Sequence, residues 1–98
     1  MVEQGDIIKI KGIGQLAAVI SKNSYNETGM AVVCPVVEEK TFSTFEVEIK
    51  VDETAMYVAS DGLRQLDLCS RDYSHVARLP YSKLIYVIDK AQSVLDYY

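Results

Sequence analysis

The first third of the chain alternates between apolar and polar residues, merges into a solid apolar run, and then breaks. Asp6–Lys11 (DIIKIK) places Ile8 and Ile10 on one side and Lys9 and Lys11 on the other, the pattern of a half-buried strand. Gly12-Ile13-Gly14 offers two residues tolerant of positive φ and predicts a tight reversal. Leu16–Ile20 (LAAVI) is continuously apolar and short, as expected of a central strand buried on both faces. Its small Ala17 and Ala18 imply a bulky neighbour. Ser21–Gly29 (SKNSYNETG) is polar and rich in turn formers, which predicts an exposed loop. Met30–Val37 (MAVVCPVV) returns as a strand, with Pro35 marking an edge, a bulge or the strand's end, because proline cannot donate to a ladder.

Glu38–Thr44 reads as a second exposed connection. Phe45–Val51 (FEVEIKV) then alternates cleanly, with Phe45, Val47, Ile49 and Val51 inward and Glu46, Glu48 and Lys50 outward. Asp52-Glu53-Thr54 turns the chain into a short strand at Met56–Ala59. Ser60-Asp61-Gly62 interrupts it, Leu63–Cys69 can form one more strand, and Ser70–His75 is polar again. Beyond Pro80 the period changes. Leu84, Ile85, Ile88, Ala91 and Leu95 recur at steps of one, three or four, which predicts an amphipathic helix from about Tyr81 to the end of the chain, lying over the open face of the sheet. The fold class is therefore mainly β (α+β): a small, strongly twisted antiparallel sheet or SH3-like half-barrel with one C-terminal amphipathic helix, in a single domain over residues 1–98.

Composition narrows the function classes. An apolar fraction of 49% in 98 residues is enough for one core. No apolar run is long enough to span a bilayer, and Met1-Val2-Glu3-Gln4 lacks the basic start and apolar core of a signal peptide, so a cytoplasmic location is expected. Cys34 and Cys69 sit in apolar segments and read as free, small hydrophobes. Two Cys and one distant His miss the usual zinc spacings, so no metal or other cofactor is expected. A net charge of −4 argues against nonspecific coating of nucleic acid, yet it leaves room for a small basic groove or a basic partner segment.

Taken in order, several stretches resemble the MazF/PemK (Kid-like) toxins of bacterial toxin–antitoxin systems. Gly5-Asp6-Ile7 is similar to the Gly-Asp-Ile/Val strand that opens those chains, and Ala18-Val19-Ile20-Ser21 to their second strand. Tyr25-Asn26-Glu27-Thr28-Gly29-Met30 is similar to a Y-N-x-x-T-G-M loop, one residue shorter, and Val33-Cys34-Pro35 to a strand that carries a Pro. Asp61-Gly62-Leu63-Arg64-Gln65-Leu66-Asp67 resembles a D-Q-x-R-x-I-D stretch. There are departures. Gln15-Leu16 stands where the family has Arg-Pro after a longer loop, Val37 where it often has Thr or Ser, Ala59 where the Kid-like branch has Arg, and Gly62 where it has Gln.

The resemblance implies metal-independent cleavage of single-stranded RNA by a homodimer, neutralised by a cognate antitoxin, with DNA engaged only through the antitoxin complex. Such cleavage needs a base for the ribose 2′-OH, an acid for the leaving 5′-oxygen and a cation at the phosphate. Asp61 as base and Arg64 as cation are the first choice; equally, Asp61-Gly62 reads as a plain turn and Arg64 as an exposed strand residue. Lys11, Gln15, Ser21 and Lys22 flank the first turn and the end of the second strand, and Lys11 could take over the missing Arg's phosphate contact. Ser43 and Thr44, with Phe45, lie where family members contact RNA, although Phe45 also fits the core. His75 reads as a surface or capping residue. The C-terminal Tyr81, Tyr86, Tyr97 and Tyr98 suit either a partner contact or the core and tail. Two other readings stand beside the nuclease: a nuclease-silent member of the fold that binds protein or nucleic acid, and an SH3-like interaction module unrelated to toxins.

Overall fold

The computed structural model describes residues 1–12 and 14–95; Ile13 in the first turn, and the terminal residues including Tyr97 and Tyr98, lie outside the described part. The elements are β1 (Asp6–Ile10), β2 (Leu16–Val19), α1 (Asn23–Asn26), β3 (Met30–Val37), β4 (Glu46–Val51), β5 (Thr54–Ala59), β6 (Arg64–Asp67), β7 (Tyr73–Arg78) and α2 (Tyr81–Ser93). Every strand pair is antiparallel. The sheet runs β4-β5-β3-β2-β1-β7, with β6 also on β3, and curls into a half-barrel closed on one side by α2.

The sheet has a core on each face, and the alternation of β1 decides which residue joins which. Ile7 packs with Ala18, Cys34, Val36, Val47, Ile49, Val58 and the α2 residues Leu84 and Val87. Ile8 and Ile10 point the other way, to Ala17, Val19, Ala31 and Val33, where Leu66, Leu68 and Tyr73 close over them. The β2 run is thus buried on both faces, as its apolar continuity predicts, and Ala18 shares its core with Leu84 and Val87 of α2. The alternation over β4 holds as well: Val47, Ile49 and Val51 are buried. Val51 and Thr54 close a two-residue hairpin whose central Asp52 and Glu53 both have positive φ, the geometry that matches strand twist.

Three expectations change. The segment 21–29 is not simply an exposed loop. It holds the single turn α1, and Asn26 is buried at 2% exposure because its amide donates to the Ser21 carbonyl at 3.0 Å while its own oxygen takes the Ser21 hydroxyl proton. The polar stretch 70–75 turns into β7, an edge strand that pairs with β1 and lays Tyr73, Val76 and Ala77 against the cores. Pro35 marks neither an edge, a bulge nor an end. It sits inside β3 where the strand's outer side changes partner, from β6 (up to Val33) to β5 (from Val36), so no ladder bond on that side requires its missing N–H.

At the start of β1, Gly5 adopts φ +97, its N–H donates to Val19 O and its carbonyl accepts from Leu79 N, both at 2.8 Å. Asp6, at 9% side-chain exposure, accepts from Arg78 at 2.7 Å and from Glu3 N–H at 2.8 Å, and stands 3.3 Å from His75 Nε2. The Gly-Asp-Ile sequence is therefore the knot that ties the N-terminus to β2, β7 and the start of α2.

Candidate nucleic-acid interface

At the opposite end of β1 the surface opens into a cleft of about 130 Å³. Its apolar floor comes from the ends of three adjacent strands: Ile10, Leu16 with Ala17, and Val33 with Pro35. The pairings Leu16↔Val36 and Ala17↔Pro35 set β2 beside β3 there. Three polar side chains reach the cleft. Gln15 comes from the first turn, Arg64 from the first position of β6 opposite Val33, and Arg71 from the connection before β7.

Two guanidinium groups on one apolar cleft suit an anion. Arginine stays charged and binds phosphate oxygens through two parallel N–H bonds. The flat floor and the Gln15 amide suit the face and edge of an unpaired base. Among the described residues, no carboxylate lines the cleft. Among the described residues, the ion pairs all join Arg78 or His75 to Asp6 or Glu3, so neither Arg64 nor Arg71 is in one.

The residues singled out from sequence are spread over several places. Gln15 and Arg64 meet in the cleft. Asp61 is exposed in the turn after β5, off the lining, one residue before Gly62. Gly62 packs on the cleft's Pro35 so closely that a Cβ would stand 2.9 Å from Pro35 Cδ, which gives a packing reason for glycine where the family has Gln. Burial, with the Asp61 charge second, pushes the Cys34 thiol up to about 12. The contact of Gly62 with Pro35 puts the preceding residue, Asp61, near the Pro35 end of the cleft. Lys11 lines an adjoining depression that shares Ile10.

Ser21 and Lys22 lie elsewhere, beside an apolar depression bounded by Tyr25, Leu63 and Ile88, and the Ser21 hydroxyl also accepts from Val32 N–H at 2.9 Å. Ser43 and Thr44 border α2: the Ser43 hydroxyl accepts from Phe45 N–H at 3.1 Å, and Lys90 donates to the Thr44 carbonyl at 2.7 Å. Phe45 is half-buried, while Phe42, not singled out from sequence, is fully exposed at the tip of that loop. His75 is at the far end of β1, beside Asp6. Val37 pairs with Tyr57 on β5. Arg71 was also missed. A lone Arg in a polar connection carries no local signal, and only the return of that connection past β1 brings it to Arg64. Among the described residues, no group of three or more His, Cys, Asp or Glu is placed to hold a metal ion, and no helix is long and apolar enough to cross a membrane.

A family model described as PemK-like, MazF-like toxin of type II toxin-antitoxin system matches residues 4–95. Among solved structures, the chain is similar to one in the MazE-MazF complex (Form-I) from Deinococcus radiodurans, with 30% identity over 96% of this chain and 95% of that chain, at a TM-score of 0.86. MazF (Form-I) of the same organism matches at 28% identity, covering 96% of each chain, with a TM-score of 0.83. An endoribonuclease in complex with its cognate antitoxin from a mycobacterial species shares the fold at 14% identity, over 97% of this chain and 95% of that one, with a TM-score of 0.82. No curated protein matches the sequence.

Proposed function

The chain belongs to the PemK-like, MazF-like toxins of type II toxin–antitoxin systems, and from that premise we propose that it is an endoribonuclease that cuts single-stranded RNA in the Arg64–Arg71 cleft. One observation carries the reading: two cations without ion-pair partners among the described residues, over an apolar floor, on a protein of net charge −4. In this mechanism Arg64 and Arg71 hold the scissile phosphate and offset the charge that builds on it in the pentavalent transition state. Gln15 orients the flanking base. Asp61 approaches past Gly62 to take the 2′-OH proton, so that the 2′-oxygen bonds to phosphorus as the bond to the 5′-oxygen breaks. The 5′-oxygen leaves with a proton from water. The products carry a 2′,3′-cyclic phosphate and a 5′-hydroxyl. The partners on this reading are single-stranded RNA and a cognate antitoxin that covers the cleft, with the toxin acting as a homodimer in the cytoplasm and reaching DNA only within the antitoxin complex.

A second reading is favoured by a specific feature: among the described residues every group lining the cleft is apolar, an amide or an arginine, so none is the imidazole or carboxylate that a proton-transfer step uses. A nuclease-silent toxin-fold protein that binds RNA without cutting it has that same lining. Incubation of the purified protein with a long single-stranded RNA, with and without EDTA, followed by mapping of the ends, separates the two. Cuts at one short motif that persist in EDTA and leave cyclic phosphates are expected. Intact RNA retained on folded, antitoxin-free protein would establish the silent reading.

A further inference from the structure

The sheet ends on β4, which among the described residues pairs with β5 on one side and with no strand on the other. In an antiparallel pair, residues that bond across the ladder alternate with residues whose N–H and C=O point away from it. The register fixes which are which. Val51 and Thr54 close the hairpin, and the Ser60 N–H donates to the Phe45 carbonyl at 3.1 Å, so Phe45, Val47, Ile49 and Val51 bond to β5. The backbone groups of Glu46, Glu48 and Lys50 therefore face outwards. Three N–H and three C=O groups on an open edge are what an added strand pairs with.

Charge decides what kind of strand fits. Residues 38–53 hold six carboxylates, Glu38, Glu39, Glu46, Glu48, Asp52 and Glu53, against Lys40 and Lys50. Their balance is −4, the net charge of the whole chain, so acidic and basic residues cancel elsewhere. Among the described residues none of the six is in an ion pair. The Glu46 carboxylate accepts the Thr41 N–H at 2.9 Å, and Glu48 is exposed. A second copy would bring the same −4 to the edge and be repelled, whereas a basic strand gains from each Glu it lies opposite.

Beside the edge, Glu46 and Glu48 share a depression of about 350 Å³ with Tyr57 and with Tyr86 and Lys90 of α2. Lys90 is already engaged, donating to the Thr44 carbonyl at 2.7 Å and standing 5.0 Å from the centre of the Tyr86 ring. The two tyrosines offer aromatic surface to the stems of basic side chains. None of these residues lines the Arg64–Arg71 cleft.

We propose that the outer edge of β4 is a docking site for an extended, basic segment of a partner protein, which adds to the sheet as a further strand. Backbone bonds to Glu46, Glu48 and Lys50 hold the segment, and the two glutamates select its charge. The site is separate from the RNA cleft and does not depend on the cleavage reading.

The test titrates the protein with a capped seven-residue peptide of alternating Lys and Val, and with its Glu and Val counterpart, while amide exchange is followed by NMR. The basic peptide should slow exchange at Glu46, Glu48 and Lys50, with little change at Val47, Ile49 and Val51, whose N–H groups are already in the ladder. The acidic peptide should do neither. Glu48→Pro removes an outward N–H without costing a ladder bond and should abolish binding. Glu48→Lys keeps the N–H and should weaken the basic peptide by about fivefold, the effect of losing one cross-strand charge pair. The docking site is wrong if the basic peptide leaves those three amides unprotected, if the acidic peptide binds as well, or if both variants bind like wild type. Protection that instead grows with protein concentration in the absence of peptide, with a dimer in sedimentation that Glu48→Pro dissolves, would assign the edge to a second copy and overturn the proposal.

Discussion

The two ends of β1 handle charge in opposite ways. At Asp6 the carboxylate is nearly buried and answered by Arg78, His75 and the Glu3 N–H. At Ile10, one strand-length away, Arg64 and Arg71 line one depression and Lys9 and Lys11 the next, with Asp72 as the only carboxylate lining either among the described residues. The first arrangement stabilises the fold, since a buried carboxylate is tolerated only when its lone pairs are bonded. The second leaves exposed cations without carboxylate partners among the described residues, a repulsion that salt screens and a bound anion would relieve. Two charged clusters on the same strand can thus be sorted by whether their partners are already present, and the sorting has consequences for mutants.

The largest expected effect belongs to the unpaired end. Arg64→Ala should cut RNA cleavage by about 10²-fold or more, the usual result of removing a group that stabilises transition-state charge. Its unfolding free energy should stay within about 0.5 kcal/mol of wild type, because an exposed, unpaired side chain supports little structure. Asp61→Asn should behave alike in the cleavage assay; full activity in both variants would show that the reacting groups lie elsewhere. At the paired end the signs reverse. Asp6→Ala should lower stability by about 2 kcal/mol in denaturant titration, the scale of lost hydrogen bonds to a charged group, while the folded fraction binds RNA as wild type does. A loss of RNA affinity out of proportion to unfolding would erase the distinction between the two ends.

A smaller change tests how the cleft is walled. Gly62→Ala places a Cβ 2.9 Å from the stiff Pro35 ring, so the Asp61 turn must back away. The expected cost is about 1–2 kcal/mol of stability, with weakened cleavage and nearly normal binding. The smallest effect at neutral pH concerns Cys34. Its thiol is pushed up from 9.0 to about 12, chiefly by burial and then by Asp61. Between those pH values the folded chain keeps a proton that the unfolded chain gives up, so stability is unaffected below pH 9.0 and falls as pH rises towards 12. Cys34→Ala removes that part of the alkaline loss, and Asp61→Asn narrows the window by lowering the folded thiol's titration point. A thiol reagent should modify exposed Cys69 alone in the native protein and both cysteines after denaturation.

Much of the scaffold is set by local pattern. The alternation over β4 and the two-faced apolar run of β2 fix what their residues do, because the apolar face must be buried whatever covers it; the helical period of α2 holds only in part, since Leu84 and Ala91 are buried but Ile85 is exposed, Val87 is buried instead, and the helix ends at Ser93, before the exposed Leu95. The membership of the chain in its toxin family was also legible, through short matches spread in order along it. Tertiary structure decided the rest. β7 begins in a polar stretch and forms because β1 offers it an unpaired edge, on which Tyr73, Val76 and Ala77 pack against the cores. Asn26 is buried because Ser21 and β3 satisfy it. Pro35 is at home in an inner strand because two strands share the side it cannot serve. The candidate site depends most heavily on long-range packing. Gln15, Arg64 and Arg71 belong to three separate segments, and no periodicity links an exposed arginine to another across the sheet. The sequence by itself determined which residues must leave water; which charged residues meet at the surface, and whether their partners are there to meet them, was decided only when β1, β3 and β6 came together.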